Sequence, residues 1–146
     1  MLSIELSDEQ DSLHFDASRI KRLAEQILRD AGVQRGSLSI AVVDDPTIHE
    51  LNRQFLQHDY PTDALSFLLE REGDHLEGEV VVGADTAIRV AAELDWPAED
   101  ELLLYVVHAT LHLVGHDDAT DELRAGMRDA ERRYLAQLGI QRRDDP

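Results

Sequence analysis

Residues 102–118 read LLLYVVHATLHLVGHDD, a run in which no acidic or basic residue other than histidine occurs before Asp117. A helix that is apolar on nearly every side is buried on nearly every side, so this run predicts a central, buried helix from Pro97 to Gly115. Gly115 is the expected end, because glycine lets the chain leave a helix in a left-handed turn. The uncharged stretch 102–115 is too short to span a bilayer.

Two histidines on this helix form the first candidate site. His108 and His112 are four residues apart, so their Cβ atoms are expected on one face at a separation of about 6 Å. Two imidazoles at that spacing can bind one metal ion. Because unpaired imidazoles in a buried helix are costly, a metal or a cleft would account for both. The pattern predicts a metal site at the end of the central helix.

A third ligand has to come from another part of the chain. In a straight helix His116 would lie about 12 Å along the axis from His108, too far to share one ion comfortably. A residue beyond the Gly115 turn can fold back over the histidine pair. Asp118 is therefore the predicted third ligand, and His116 is the alternative.

The composition predicts one soluble domain over residues 1–146. The chain has 42% hydrophobic and 31% charged residues and a net charge of −17, with 14 basic and 31 acidic residues. Such a charge argues against a broad basic surface for coating DNA or docking on an anionic membrane. The absence of cysteine excludes disulfides, zinc ribbons and thiol catalysis. The acidic N-terminal sequence MLSIELSDEQ does not resemble a signal peptide, so a cytoplasmic location is expected.

Hydrophobic periodicity on both sides of the central helix predicts the remaining elements. The strands are expected over residues 1–6, 38–42, 64–69 and 78–82, with a hairpin connection over 70–74. Further helices are expected over 16–31, 45–55, 85–94 and 120–138. The charged tail 141–146 is expected to fray. The order predicts an α+β domain, a small mixed sheet of about four strands with about five helices.

A second segment, residues 51–67, reads LNRQFLQHDYPTDALSF. From the residues alone, its centre is a polar turn that leads into a strand. A simple capped loop therefore remains an open interpretation.

Together the two segments resemble the YbeY family of bacterial endoribonucleases. That family's metal motif reads HGxLHLxGYDH, where this chain has HATLHLVGHDD over residues 108–118. The family segment LNxxYRxxDxPTDVLSF is matched upstream at Leu51, Asn52, Asp59, Pro61, Thr62, Asp63, Leu65, Ser66 and Phe67. Gly78-Glu79-Val80 stands where the family usually has Gly-Asp-Ile, so the resemblance covers roughly residues 38–140.

The resemblance implies a single-strand-specific, metal-dependent endoribonuclease that acts in ribosomal RNA maturation and ribosome quality control, with one zinc ion per chain. Where the family motifs have a third histidine, a tyrosine and an arginine, this chain has Asp118, His116 and Leu56. The candidate general bases are Asp63, Glu79 and Asp117. The candidate substrate contacts are Arg53, Thr62 and Ser66.

The expected partners are single-stranded or ribosomal RNA and, because the chain is acidic, a basic ribosomal protein. Neither a membrane nor DNA is expected as a partner. One alternative is a non-catalytic ribosome-assembly factor that holds a structural metal. The other is a zinc peptidase, which needs a glutamate beside the first histidine where this chain has Ala109.

Overall fold

The computed structural model describes residues 1–56 and 63–145, with Leu56 described by its backbone only. In these ranges it has four strands, β1 (Leu2–Glu9), β2 (Arg35–Val43), β3 (Ala64–Glu72) and β4 (His75–Gly83). The five helices are α1 (Ala17–Asp30), α2 (Asp45–Leu56), α3 (Ala84–Leu94), α4 (Ala98–Leu113) and α5 (Asp121–Ala136). None of the described helices is long and apolar enough to cross a membrane.

The four strands form one mixed sheet in the order β1-β2-β4-β3. β1, β2 and β4 are parallel, and β3 is antiparallel to β4 at one edge. The prediction of an α+β domain with a mixed sheet of about four strands and about five helices is confirmed.

The alternation of side chains along β4 separates two apolar clusters. Val80 and Val82 belong to the main core under the helices, whereas Val81 packs with Ile48 of α2 on the other face of the sheet. Helix α4 lies at the centre of the main core, where it contacts α1, α3, α5 and the sheet. The helix that carries the histidine pair is therefore surrounded by other elements, as its composition predicts.

A glycine in β4 allows the end of α4 to approach the sheet closely. A Cβ atom built on Gly78 would lie 3.1 Å from Cδ1 of Leu113, closer than ordinary van der Waals contact. This contact holds the last turn of α4, and with it the histidine face, against the centre of the sheet.

Several strand boundaries differ from the sequence predictions, since β1 extends to Glu9, β2 begins at Arg35 and β4 begins at His75. The β3–β4 connection is only residues 73–74, because Gly73 takes φ +59° in a tight turn and both strands continue up to it.

In the described part of the tail, two arginines pair with buried carboxylates. Arg142 Nε donates to buried Glu131 at 2.8 Å, and Arg143 Nε donates to buried Glu101 at 2.7 Å. Buried carboxylates need such partners. The sequence does not predict these pairs, because Glu131 and Glu101 lie far along the chain from Arg142 and Arg143.

Candidate metal centre

The chain reverses direction immediately after α4. Gly115 has φ +103°, and its N–H donates to the His112 carbonyl at 3.1 Å. The N–H of His116 donates to the Leu111 carbonyl at 3.0 Å. These two bonds form a Schellman motif, for which glycine is favoured because it has no Cβ to clash at positive φ. The turn directs the following loop back towards the histidine face of α4.

The structure brings three potential ligand atoms together at this point. The Nε2 atoms of His108 and His112 are 3.1 Å apart. The Asp118 carboxylate oxygens lie 3.7 Å from His108 Nε2 and 3.8 Å from His112 Nε2. One ligand atom from each residue lies within 4.8 Å of the other two. No fourth histidine, cysteine or acidic side chain joins this group within residues 1–56 and 63–145.

These separations can be compared with those around a zinc ion. Zinc binds imidazole nitrogen and carboxylate oxygen at about 2.0–2.2 Å in tetrahedral geometry, so two of its ligand atoms lie about 3.4 Å apart. The nitrogens are 3.1 Å apart, and each lies 3.7 or 3.8 Å from a different Asp118 oxygen, so a small rotation of this carboxylate would present one oxygen to both nitrogens. The donor set therefore fits a zinc-sized ion without a large rearrangement.

Glu131 of α5 orients the first histidine. Its side chain is 1% exposed, and its Oε2 lies 2.7 Å from His108 Nδ1. Burial would raise the pKa of Glu131, but the hydrogen bond from His108 and the charges of Arg142 and Arg128 outweigh it and hold the pKa below its ordinary value. An ionised carboxylate only accepts hydrogen bonds, so Nδ1 donates its proton to Glu131 and Nε2 faces the candidate site that it shares with His112 and Asp118.

Glu131 is not among the site residues that the sequence predicts. One signal was available, because Glu131 lies four residues after Met127 and so belongs to the buried face of α5. A carboxylate on a buried helical face needs a partner. Nothing in the sequence indicates that this partner is His108.

A pocket of about 320 Å³ opens beside His108 and Asp118. Tyr105 lines it, and burial together with a hydrogen bond to Glu101 raises the pKa of this phenol, which therefore stays protonated. Further around the wall lie Asp63, Arg128, Glu131, Arg142, Arg143 and Asp145. Two of the three candidate ligands, His108 and Asp118, thus line a polar pocket that contains three arginines.

A sequence profile described as endoribonuclease YbeY matches residues 5–139 of this chain. The chain belongs to the endoribonuclease YbeY family. Endoribonuclease YbeY from Rhodopirellula baltica is 53% identical over 112 residues, which cover 75% of this chain and 58% of that protein. Endoribonuclease YbeY from Salinibacter ruber is 39% identical over 140 residues, which cover 89% of each protein. The solution structure of TM1509 from Thermotoga maritima has a TM-score of 0.62 and 26% identity, covering 95% of this chain and 92% of that one.

The three candidate general bases lie in different places. Asp63 lines the pocket beside the metal centre. The side chain of Asp117 accepts from the N–H groups of Asp118 and Ala119 at 2.7 and 3.2 Å, so it shapes the loop that carries Asp118. Glu79 is exposed and lines a groove on the opposite face of the sheet. Only Asp63 among the three shares a cavity with the candidate ligands.

The alternative ligand and the candidate substrate contacts lie elsewhere. His116 lines a separate cavity with Asp30 and Tyr134, between α4, α1 and α5, and does not join the ligand group. Arg53 is exposed on α2 and pairs with Glu50 at 2.6 Å. Ser66 is half-buried on β3, opposite Val80 on the face that α4 covers. Thr62 and the side chain of Leu56 lie outside the described residues.

Proposed function

We propose that this protein is a metal-dependent endoribonuclease that cuts single-stranded RNA during ribosomal RNA maturation and ribosome quality control. Its membership in the endoribonuclease YbeY family supports the activity. The observation that carries the proposal is the convergence of two imidazole nitrogens and one carboxylate oxygen at the edge of a pocket that also contains arginines. Arginine is suited to holding a phosphate, because its planar head donates two parallel hydrogen bonds.

We assign one zinc ion per chain to His108, His112 and Asp118. Two imidazoles and a carboxylate are a donor set that zinc accepts readily. Such an ion supplies Lewis acidity, by which it polarises a phosphoryl oxygen or makes a bound water more acidic. Three protein ligands leave a fourth position for water or substrate, the arrangement of catalytic rather than structural zinc sites.

Glu131 and Asp63 have distinct proposed roles. Glu131 keeps the proton of His108 on Nδ1 and so aims Nε2 at the ion. Asp63, in the same pocket, accepts the proton of the attacking hydroxyl, which belongs either to water or to a ribose 2′-OH. General base catalysis contributes about 10²- to 10⁴-fold. Asp63→Asn should lower kcat by that order with an unchanged zinc content, whereas Glu79→Gln should leave kcat unaltered.

The decisive experiment combines metal analysis with an RNA cleavage assay. The purified protein should contain one zinc per chain and cut an unstructured RNA, but not a DNA of matching sequence, and chelator should abolish cleavage. His112→Ala should lose both zinc and activity. His116→Ala makes the same change four residues along the chain, outside the ligand group, and should retain both. Cleavage that survives in His112→Ala would overturn the assignment.

A non-catalytic ribosome-assembly factor with a structural metal is the second candidate. The observation in its favour is that each arginine of the pocket is already paired with a carboxylate. The same experiment separates the two functions, because an assembly factor would hold zinc firmly and cut no RNA. A zinc peptidase is not supported, since Ala109 occupies the position where a peptidase has its glutamate.

We also infer a cytoplasmic location, where ribosomal RNA is processed, and docking on a basic ribosomal protein rather than on membrane or DNA. The net charge of −17 supports this docking. Glu5, Glu9 and Glu79 line a groove on the sheet face opposite α4 and would contribute negative charge to it. Association should weaken steeply as salt rises, and a salt-independent association would contradict the electrostatic basis of the docking.

A further inference from the structure

A carboxylate of the tail lies among three arginines at the wall of the pocket. Asp145 Oδ2 accepts from Arg128 Nε at 2.7 Å, and its Oδ1 accepts from Arg142 Nη2 at 2.9 Å. Arg143 Nη1 lies 3.5 Å from the same Oδ1. A carboxylate held in this way presents one negative charge spread over two oxygens. The non-bridging oxygens of a phosphodiester present the same charge in a similar shape.

The two closest arginines are held in place by a partner other than Asp145. Arg142 has a 3% exposed side chain, and its Nε donates to Glu131 Oε1 at 2.8 Å. Arg128 Nη1 donates to the same carboxylate at 3.2 Å. Glu131 in turn contacts His108 at 2.7 Å. The arginine pair is therefore preorganised, and one shared carboxylate links it to the candidate metal centre.

The charges in the pocket favour an exchange of one anion for another. Three arginines face four carboxylates along its wall, namely those of Asp63, Asp118, Glu131 and Asp145. A fifth carboxylate, that of buried Glu101, also pairs with Arg143 although it does not line the pocket. Exchange of Asp145 for a phosphodiester replaces one negative charge with another, so it leaves the net charge beside the arginines unchanged. The side chain of Asp145 is 45% exposed, so its ion pairs are screened by water and cost little to break.

We propose that Arg128 and Arg142 form a subsite for a backbone phosphate of single-stranded RNA, and that Asp145 occupies this subsite in the free protein as an internal competitor. This inference rests on the proposed function for the identity of the ligand. The tail that supplies Asp145 and Arg142 lies beyond residues 5–139, which match the family profile. Arg128 and Glu131, by contrast, lie within the matched residues.

The test measures RNA binding by the full chain with zinc removed by chelator. A fluorescently labelled single-stranded oligouridylate is titrated at low salt, and its anisotropy gives Kd. Asp145→Asn removes the competing charge, so its Kd should fall about three- to tenfold. Asp144→Asn is the matched control, because it removes the same charge one residue away. Asp144 forms no ion pair with an arginine in the described part of the chain, and its Kd should change less than twofold.

A second variant ties the gain to the arginine pair. The double variant Arg128→Gln/Asp145→Asn should lose the gain in affinity and return to the wild-type Kd or weaker. If Kd falls equally in Asp144→Asn and Asp145→Asn, or falls in neither, the inference is overturned. Circular dichroism confirms that each variant is folded before its Kd is compared.

Failure of the proposed function is scored separately, by cleavage of the same RNA with zinc restored. If the predicted order of Kd values appears without cleavage, the subsite stands and the nuclease assignment fails. If cleavage occurs and Asp145→Asn binds as Asp144→Asn does, the nuclease assignment stands and the subsite fails.

Discussion

Glu131→Gln is the substitution that tests most directly how α5 supports the candidate metal centre. The side chain of Glu131 is 1% exposed and accepts hydrogen bonds from His108, Arg128 and Arg142. Glutamine keeps the size of the side chain and one acceptor oxygen but removes the charge. Among the described residues, Arg142, with a 3% exposed side chain, would then keep only the half-exposed Asp145 as a charged partner.

The expected losses follow from this burial. Removing one partner of a buried ion pair costs about 3–5 kcal/mol, and we expect about 3 kcal/mol because Arg142 retains Asp145. A domain with a free energy of unfolding of about 5–15 kcal/mol stays folded after that loss, while its Tm falls by about 10 °C. Loss of a carboxylate that orients a metal-binding histidine lowers metal affinity about 10- to 100-fold.

The assay pairs urea unfolding with a zinc titration against a competing chelator at 25 °C, where the variant is folded. Glu122→Gln makes the same change at an exposed position of the same helix and should leave stability and zinc affinity unaltered. Native zinc affinity in Glu131→Gln would refute the orienting role of the carboxylate. Native stability would refute the importance of the buried ion pairs.

Three further outcomes follow from the geometry. Asp118→Ala should weaken zinc binding far more than His116→Ala, and Asp118→His should keep it; equal losses by calorimetry would contradict the ligand assignment. Burial raises the pKa of Glu101, but the hydrogen bonds donated to it outweigh burial and hold the pKa low. The contribution of ionised Glu101 to the free energy of unfolding is fully present above its unfolded pKa of about 4.3 and is lost as pH falls through its lower folded pKa. In Glu101→Gln, the free energy of unfolding should therefore fall less steeply on acidification. Gly36 has φ +115°, and a Cβ there would collide with the backbone carbonyl of Leu76, so in urea unfolding Gly36→Ala should cost more than the backbone strain alone, which is about 1–3 kcal/mol. Gly126→Ala, inside α5 with open space around it, should not destabilise.

Several features of the site follow from local spacing. His108 and His112 share a helical face because they are four residues apart, and Gly115 turns the chain because it alone tolerates the required φ. The structure brings Asp118 to the pair as these signals predict, and its role as a ligand stays a prediction. The resemblance to the family also made Asp63 and Glu79 candidate general bases. In the structure they lie apart, because Asp63 precedes β3 and lines the pocket, whereas Glu79 lies within β4 and lines a groove on the opposite face of the sheet.

Alternation, helical periodicity and glycine turns depend on neighbours in the chain, and by themselves they determined the α+β class, the buried central helix and the histidine pair. Only the tertiary structure showed that Glu131 forms a hydrogen bond with His108 and that Asp145 forms an ion pair with Arg128. These contacts join α4, α5 and the tail across separations of 17 to 23 residues. No periodic pattern encodes such contacts, because they depend on how helices pack around the core rather than on the spacing of residues within one helix.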